Sequence, residues 1–207
     1  MNVVSLFSGL GGLDKGFADT GYNIVWANDF DKYAVQTYKA NFGDHIVLGD
    51  INEIPLEIIP DCDILIGGFP CQPFSMMGQQ KGFEDTRGTL FFEIARIASV
   101  KKPKYMLLEN VPGLLNHGQG RTFQKIISSL DELGYDVTWQ VYNSKNFGVP
   151  QSRKRLYIVC YYREKVQGEI FAFPETTASN TVRCIRGSEG DRGETRNERR
   201  ARFRDHA

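Results

Sequence analysis

The feature that most constrains the fold is the alternation of short apolar runs with segments of helical periodicity. The apolar runs, which predict strands, are residues 3–7, 22–27, 46–48, 63–66, 105–108, 135–142 and 156–162. Apolar residues recur at three- and four-residue steps in residues 13–18, 31–41, 89–100 and 123–133, which predict helices. Short strands that alternate with helices indicate an α/β fold, a mostly parallel sheet with helices on both faces.

Several polar or small residues follow directly after these predicted strands. They are Gly9, Asp29, Asp50, Cys71 and Glu109. In a parallel sheet the carboxyl ends of the strands lie at one edge, and ligands bind just beyond that edge. We therefore expect one cleft to collect these five residues.

The stretch Gly-Gly-Phe-Pro-Cys-Gln-Pro-Phe-Ser at residues 67–75 follows the fourth predicted strand. Its glycines allow close approach of a ligand, and Pro70 and Pro73 restrict the backbone around Cys71. A thiol on a stiff loop at a strand end is a candidate nucleophile, because thiolates attack electron-poor carbon well. The alternative is a buried structural cysteine, which is common among free cysteines.

Residues 7–12, Phe-Ser-Gly-Leu-Gly-Gly, form a glycine-rich turn between the first predicted strand and helix. Asp14 stands where a dinucleotide-binding turn has its third glycine, so the turn suits a ligand without a pyrophosphate. Asp29 lies twenty residues after Gly9, where a carboxylate can accept hydrogen bonds from ribose hydroxyls, and Phe30 offers an aromatic face for adenine. Asp50 could accept from the adenine amino group. This pattern favours S-adenosylmethionine over NAD, and an ordinary tight turn is the alternative.

Together these motifs resemble those of the cytosine-C5 DNA methyltransferases, in order and spacing, over about residues 2–173. The resemblance implies a Rossmann-like fold of the S-adenosylmethionine-dependent methyltransferase type. It also implies that the cofactor is S-adenosylmethionine and that the substrate is double-stranded DNA with the target cytosine flipped out of the helix. The cofactor-binding residues that it implies are Phe7, Gly9, Leu10, Gly11, Gly12, Asp29, Phe30, Asp50, Ile51, Phe69, Pro70 and Leu90.

The resemblance also assigns the catalytic roles. Cys71 attacks C6 of cytosine, and Glu109 holds N3 and the exocyclic amine, with a carboxyl pKa that desolvation can raise. Arg153 and Arg155 match the family's Gln-x-Arg-x-Arg motif, in which one arginine touches the cytosine carbonyl oxygen. Alternation places these two arginines on one side of an extended segment and Lys154 on the other. A surface cap for Glu109 and a solvated turn for the arginines are the alternatives.

Residues 76–88 contain three glycines and no apolar period, and they resemble the family's mobile catalytic loop. A lid is reasonable, because a base shielded inside a duplex must be extruded before its atoms can react. Lys81 and Arg87 could contact phosphates. The alternative is an ordinary flexible loop.

Composition excludes some classes of protein. The chain of 207 residues has 25 Lys plus Arg and 25 Asp plus Glu, so its net charge gives no argument for nucleic acid. The four cysteines form no C-x-x-C pair and no zinc spacing, which predicts no metal and a reducing compartment. No apolar run reaches about 18 residues and no signal peptide is apparent. We therefore expect a soluble, cytoplasmic protein without membrane contact.

The composition changes near residue 174, and we divide the chain there into a catalytic domain, 1–173, and a divergent Arg-rich tail, 174–207. Residues 166–207 contain eight Arg and no Lys. Sparse apolar residues without a period predict a disordered tail. A basic arm for nucleic acid and a foreign or out-of-frame terminus are the alternatives.

The target-recognition region and the last Gly-Asn-Ser segment of the family are not visible in this sequence. We therefore expect an enzyme of a restriction-modification system that either is incomplete or takes its target recognition from a second subunit. A tRNA cytosine-C5 methyltransferase and an inactive, truncated cofactor-binding remnant remain alternatives. A nicotinamide oxidoreductase is disfavoured by the incomplete glycine pattern, and a zinc deaminase by the absence of its His-x-Glu and Pro-Cys-x-x-Cys motifs.

Overall fold

The structure, a computed structural model, describes residues 1–70, 90–148, 150–166, 168 and 171–174 and the backbone of residues 183–185. Its strands are β1 Asn2–Leu6, β2 Asn23–Asp29, β3 Ile46–Leu48, β4 Ile64–Gly68, β5 Tyr105–Asn110, β6 Tyr135–Asn143, β7 Lys154–Tyr162 and β8 Arg183–Ile185. Its α-helices are α1 Gly12–Asp19, α2 Lys32–Phe42, α3 Leu90–Lys101 and α4 Arg121–Glu132. Short 3-10 helices span Leu56–Ile58, Pro112–Leu115 and Ser144–Phe147.

The strands form one mixed sheet in the order β3-β2-β1-β4-β5-β7-β6-β8. The five strands from β3 to β5 are parallel to one another, whereas β7, β6 and β8 add in antiparallel fashion. The order reverses between β1 and β4, so the switch point, where such sheets bind ligands, lies at their carboxyl ends. The predicted α/β fold with a mostly parallel sheet is confirmed.

Helices cover both faces of the sheet. On one face, α3 and α4 pack against the largest core cluster, in which Ile94 and Ile126 meet strand residues such as Leu65 and Met106. On the other face, Leu13 of α1 packs against a smaller cluster on β1 and β4. This double cover explains why the central strands are continuously apolar instead of alternating.

The last long strands pair differently from the first ones. Strands β6 and β7 are antiparallel neighbours from Tyr135↔Tyr162 to Asn143↔Lys154. Strand β6 ends at Asn143 and β7 begins at Lys154, and this connection is too short for the crossover that parallel strands need. The antiparallel pair therefore follows from the length of the connection.

The predicted tail contains one described element. Strand β8, Arg183–Ile185, pairs in antiparallel fashion with residues 137–139 of β6 at the edge of the sheet. Residues 175–182 and 186–207 lie outside the described part of the chain, where disorder stays a prediction. Within the described residues, no helix is both long and apolar enough to span a bilayer.

Candidate active site

The glycine-rich turn connects β1 to α1 and packs tightly against α2. Gly11 has a φ of +87°, and a Cβ there would lie 2.3 Å from Cε2 of Phe42. Around Gly9 and Gly12, by contrast, no atom lies within 4 Å of the Cβ position. Phe7 also has a positive φ, 54°, which is uncommon for a non-glycine residue. The turn thus has a packed side toward α2 and an open side at which a ligand can approach.

Asp29, at the end of β2, organises the neighbouring backbone. Its Oδ2 accepts a hydrogen bond from the N–H of Gly9 at 2.8 Å, and its Oδ1 accepts one from the N–H of Asp31 at 2.9 Å. Phe30 and Leu10 have side chains that are 73% and 62% exposed. An exposed aromatic ring directly beside a fixed carboxylate suits an adenosine group, which the ring can stack on and the carboxylate can bind through ribose hydroxyls.

The predicted residues after β3 divide into exposed and buried ones. Asp50 is exposed, and its Oδ1 accepts hydrogen bonds from both the backbone and the side-chain N–H of Asn52. The side chain of Ile51 is buried in the main core at 2% exposure. Ile51 therefore has only its backbone available for a ligand.

Asn28 joins three strands at this end of the sheet, a role that the sequence analysis missed. Its side chain is 1% exposed and its Nδ2 donates to the carbonyls of Val47 and Gly49. Its own carbonyl accepts from the N–H of Ser8 at 3.0 Å. The glycine turn and the segment that carries Asp50 are therefore both hydrogen-bonded to the last residues of β2.

Beneath the glycine turn lies a buried polar network. The Asp14 carboxylate, 0% exposed, accepts hydrogen bonds from the hydroxyls of Ser5 and Tyr38 at 2.9 and 2.8 Å. Ser8 donates to the Ser5 hydroxyl, and the Tyr38 hydroxyl lies 3.0 Å from Nε2 of His45. Burial raises the pKa of the Asp14 carboxyl, although the hydrogen bonds from Tyr38 and Ser5 oppose that shift. The residue that breaks the dinucleotide pattern thus supports the turn from below.

Glu109, near the end of β5, is ion-paired with Arg155 of β7. Nε of Arg155 lies 2.7 Å from Oε1 of Glu109, and the two side chains are 21% and 20% exposed. The other carboxylate oxygen, Oε2, lies 3.2 Å from the Cβ position of Gly68 on β4. An ion pair with Arg155, and not an apolar setting alone, therefore defines the environment of this carboxylate.

Arg153 and Arg155 line the same cavity, as the alternation of an extended segment predicts. The cavity has a volume of about 360 Å³, and Leu107 and Val159, cross-strand neighbours on β5 and β7, lie against it. Tyr157 also lines it, and burial together with the nearby Glu109 carboxylate raises the pKa of its phenol. The backbone N–H of Arg153 is fixed by Oδ1 of Asn143 at 3.0 Å.

The residues around the predicted nucleophile are described only up to Pro70. Phe69 is buried, and its ring packs against Phe91 of α3 with 5.7 Å between centroids. Leu90 is half-buried at the start of α3 and packs against the main core. Cys71 and the predicted lid, residues 76–88, lie outside the described residues, so their placement stays a prediction.

Two other cysteines are poor nucleophiles. Burial raises the pKa of the Cys62 thiol to about 12. Burial also raises the pKa of the Cys160 thiol. Both therefore remain protonated at neutral pH. Among the described residues, no group of three or more His, Cys, Asp or Glu side chains is placed to hold a metal ion.

A profile of the C-5 cytosine-specific DNA methylases matches residues 1–206, which extends past residue 173, where the motif resemblance ends. The chain belongs to that family.

Relatives of this chain among the C-5 cytosine methylases include type II methyltransferases. The type II methyltransferase M.SsoII of Shigella sonnei is 50% identical over 181 residues, which make up 86% of this chain and 48% of that protein. M.HhaI of Haemophilus parahaemolyticus is 43% identical over 181 residues, or 87% of this chain and 55% of that protein. This C-5 cytosine methylase chain thus spans about half the length of the curated relatives it matches.

Solved structures of methyltransferases share the fold of this C-5 cytosine methylase chain. The Dnmt2 methyltransferase of S. pombe aligns with a TM-score of 0.67 at 27% identity, covering 82% of this chain and 53% of that one. A putative DNA modification methyltransferase encoded within an E. coli prophage aligns with a TM-score of 0.67 at 29% identity, covering 79% and 47% of the two chains.

Proposed function

We propose that this chain is the catalytic part of a DNA cytosine-C5 methyltransferase of a restriction-modification system. It would transfer the methyl group of S-adenosylmethionine to C5 of a cytosine flipped out of the duplex, in the cytoplasm, where bacterial DNA lies. The observation that carries the proposal is the arrangement of three adjacent parallel strands. Strand β1 leads to the glycine turn, β4 leads to Cys71, and β5 ends at the Glu109–Arg155 pair.

The cofactor end of this arrangement fits S-adenosylmethionine. We expect Phe30 to stack on the adenine, Asp29 to bind the ribose and Asp50 to accept from the adenine amino group. The open side of the turn at Gly9 and Gly12 leaves room for the remainder of the molecule. When bound, S-adenosylmethionine supplies an electrophilic methyl group on a sulfonium.

The catalytic end fits the edge of a cytosine ring. The Cys71 thiolate would add to C6, which makes C5 nucleophilic toward the methyl group. Glu109 would hold N3 and the exocyclic amine. Arg155, fixed by its ion pair with Glu109, has further N–H groups that can donate to the cytosine carbonyl oxygen. Loss of the C5 proton to water and departure of the thiolate would complete the cycle.

We further propose that target recognition comes from a second subunit. Sequence-specific readout requires side chains fitted to base edges in a groove. This chain spans 48% of M.SsoII and 55% of M.HhaI, so a large part of those relatives has no counterpart among its residues. The relatives at 43% identity or more that we describe are type II methyltransferases, which favours DNA over tRNA as the substrate.

Cofactor binding by the 207-residue chain tests the first half of the proposal. We expect isothermal titration calorimetry to show one site for S-adenosylmethionine and affinity about fivefold weaker in Phe30→Ala, since an aromatic stacking contact contributes about 1 kcal/mol. Tyr33→Ala is the matched control, because that ring is also exposed, at 69%, but lies on α2. No binding, or equal loss in both variants, would contradict the assigned site.

A further inference from the structure

We propose that Asn110 is a positioning residue, whose buried side chain fixes the stem of the Cys71 loop to the strand that carries Glu109. The inference rests on the proposed function, because it assumes that Cys71 and Glu109 act on the same base. It concerns a residue that the sequence analysis places in neither the catalytic nor the cofactor-binding set.

The Asn110 side chain uses both ends of its amide. It is 2% exposed, its Nδ2 donates to the carbonyl of Phe69 at 2.9 Å, and its Oδ1 accepts from the N–H of Val111 at 2.8 Å. A donor at one end and an acceptor at the other determine the orientation of the amide.

The hydrogen bond to Phe69 stands where the regular pairing of the two strands stops. The parallel register of β4 and β5 ends at Gly68↔Glu109, one residue before Phe69 and Asn110. Pro70 has no N–H with which to continue the ladder. The Asn110 amide therefore satisfies a buried carbonyl that the sheet no longer pairs.

The hydrogen bond between Asn110 and Phe69 lies close to the predicted nucleophile along the chain. Cys71 is two residues after Phe69, so their Cα atoms are at most about 7.6 Å apart. The Phe69 ring is anchored in the core against Phe91, which leaves its carbonyl as the point that Asn110 holds. Fixing that carbonyl limits where the following two residues can lie.

The stem also lies beside the carboxylate, with no room for a side chain between them. The Cβ position of Gly68 lies 3.2 Å from Oε2 of Glu109, while Oε1 is held by Arg155. A shift of the stem toward β5 would therefore press on Glu109, and a shift away would open a gap beside it. Asn110 sets this spacing, and so sets the separation between the nucleophile and the acid.

The experiment compares wild type with Asn110→Ala and Asn110→Asp. Asn110→Ala removes both hydrogen bonds of the side chain. Asn110→Asp keeps an oxygen that accepts from the N–H of Val111, but it can donate to the Phe69 carbonyl only when its carboxyl is protonated. Tyr135→Phe is the matched control, because Tyr135 also donates a buried hydrogen bond to a backbone carbonyl, that of Pro103, at 3.0 Å. Tyr135 stands at the start of β6, away from the candidate site.

The first readout does not require catalysis. The rate of iodoacetamide alkylation at Cys71, resolved by peptide mass spectrometry, should rise severalfold in Asn110→Ala, because the freed stem lets the reagent approach from more directions. The rate in Tyr135→Phe should equal that of wild type. The ratio of the Asn110→Asp alkylation rate to the wild-type rate, both measured at the same pH, should fall toward one as the pH falls and the introduced carboxyl gains a proton. Equal Cys71 rates in wild type and Asn110→Ala would overturn the proposal.

The second readout is the rate of the covalent adduct with DNA containing 5-fluorocytosine. We expect a loss of about 100-fold in Asn110→Ala, as for a misplacement of about 1 Å. A loss that appears equally in Tyr135→Phe would indicate a purely structural role and overturn the proposal. Absence of any adduct in wild type, even with the second subunit present, would instead contradict the proposed function, and the alkylation rates would then decide on Asn110 alone.

Discussion

Gly11 is the residue at which the cofactor turn tolerates the least change. Any side chain there must adopt a φ of +87° and would also overlap the Phe42 ring, 2.3 Å from its Cβ position. The left-handed backbone conformation and the overlap with the ring each lower the stability of a variant with a side chain at this position, and the two free-energy losses add.

We therefore expect Gly11→Ala to lower the free energy of unfolding by about 3 kcal/mol and to abolish cofactor binding. Gly21→Ala is the matched control, since Gly21 has nearly the same φ, +86°, and no atom within 4 Å of its Cβ position. That variant should lose only about 1 kcal/mol, measured by urea unfolding. Similar losses in both variants would show that the contact with Phe42 does not matter.

Asp14 predicts a pH dependence of stability. Its pKa is raised above the ordinary value of 3.8, chiefly by burial, so the folded state holds this proton more tightly than the unfolded state does. The contribution of Asp14 to stability is therefore largest at low pH and declines as the pH rises from about 3.8 through the raised pKa.

Urea unfolding of wild type and Asp14→Asn across this pH range measures that contribution. The difference in unfolding free energy, wild type minus variant, should fall as the pH rises and then level off. A difference that grows with pH would mean that the buried network stabilises the charged carboxylate and would contradict the assigned cause.

The residue types at the site were largely accessible from sequence, whereas their supports were not. Asp29, Asp50 and Glu109 could be placed because they follow recognisable apolar strands. Asn28 and Asn110 gave no signal, because an asparagine at a strand end looks the same whether its amide is exposed or buried. Their roles depend on the carbonyls of residues that are distant in the chain.

At the scale of elements, the edge β1-β2-β3 acts as one unit that holds the cofactor end. Asn28 makes this coupling, since its amide binds two carbonyls in and after β3 and its own carbonyl binds the glycine turn. Loss of a buried side-chain donor leaves those carbonyls unsatisfied.

We expect Asn28→Ala to cost about 1–3 kcal/mol of stability and to weaken binding of S-adenosylmethionine, measured by chemical unfolding and calorimetry. Asn23→Ala in the same strand is the control. Asn23 is exposed, and its side-chain amide donates to the exposed side chain of Asn2. If both variants bind the cofactor as wild type does, the coupling between β2 and β3 has no part in the site.

The elements themselves were predicted well where the periodicity was strong. The segment predicted as a helix at residues 123–133 is α4, Arg121–Glu132, whose buried residues include Phe123, Ile126 and Leu130. Strand β8 could not be predicted, because three residues in an Arg-rich stretch carry no pattern, and only pairing with β6 makes them a strand.

At the scale of the whole molecule, the strand order explains why the strands that lead to the predicted residues end beside one another. The reversal between β1 and β4 places the ends of those strands at the switch point, and β5 follows directly beside β4. The order of the strands along the chain does not predict which strands pair, since β4 follows β3 in the chain but pairs with β1. The strand order was predictable only through the fold that the motif resemblance implies.

The 207-residue chain should bind S-adenosylmethionine but show little site-specific methylation by itself. The proposed second subunit, equivalent to the part of the relatives that this chain does not span, should restore methyl transfer to DNA when the two are mixed. Tritium incorporation into duplex DNA measures both conditions. Strong site-specific transfer by the chain alone would show that target recognition lies within it.

The central claim is that Cys71 forms a covalent bond to the target cytosine opposite Glu109 and Arg155. The most direct test is incubation with tritiated S-adenosylmethionine and duplex DNA containing 5-fluorocytosine, with and without the second subunit, followed by denaturing electrophoresis. We predict a labelled protein–DNA adduct in wild type and none in Cys71→Ala. An adduct that persists in Cys71→Ala, or none in wild type under either condition, would contradict the account.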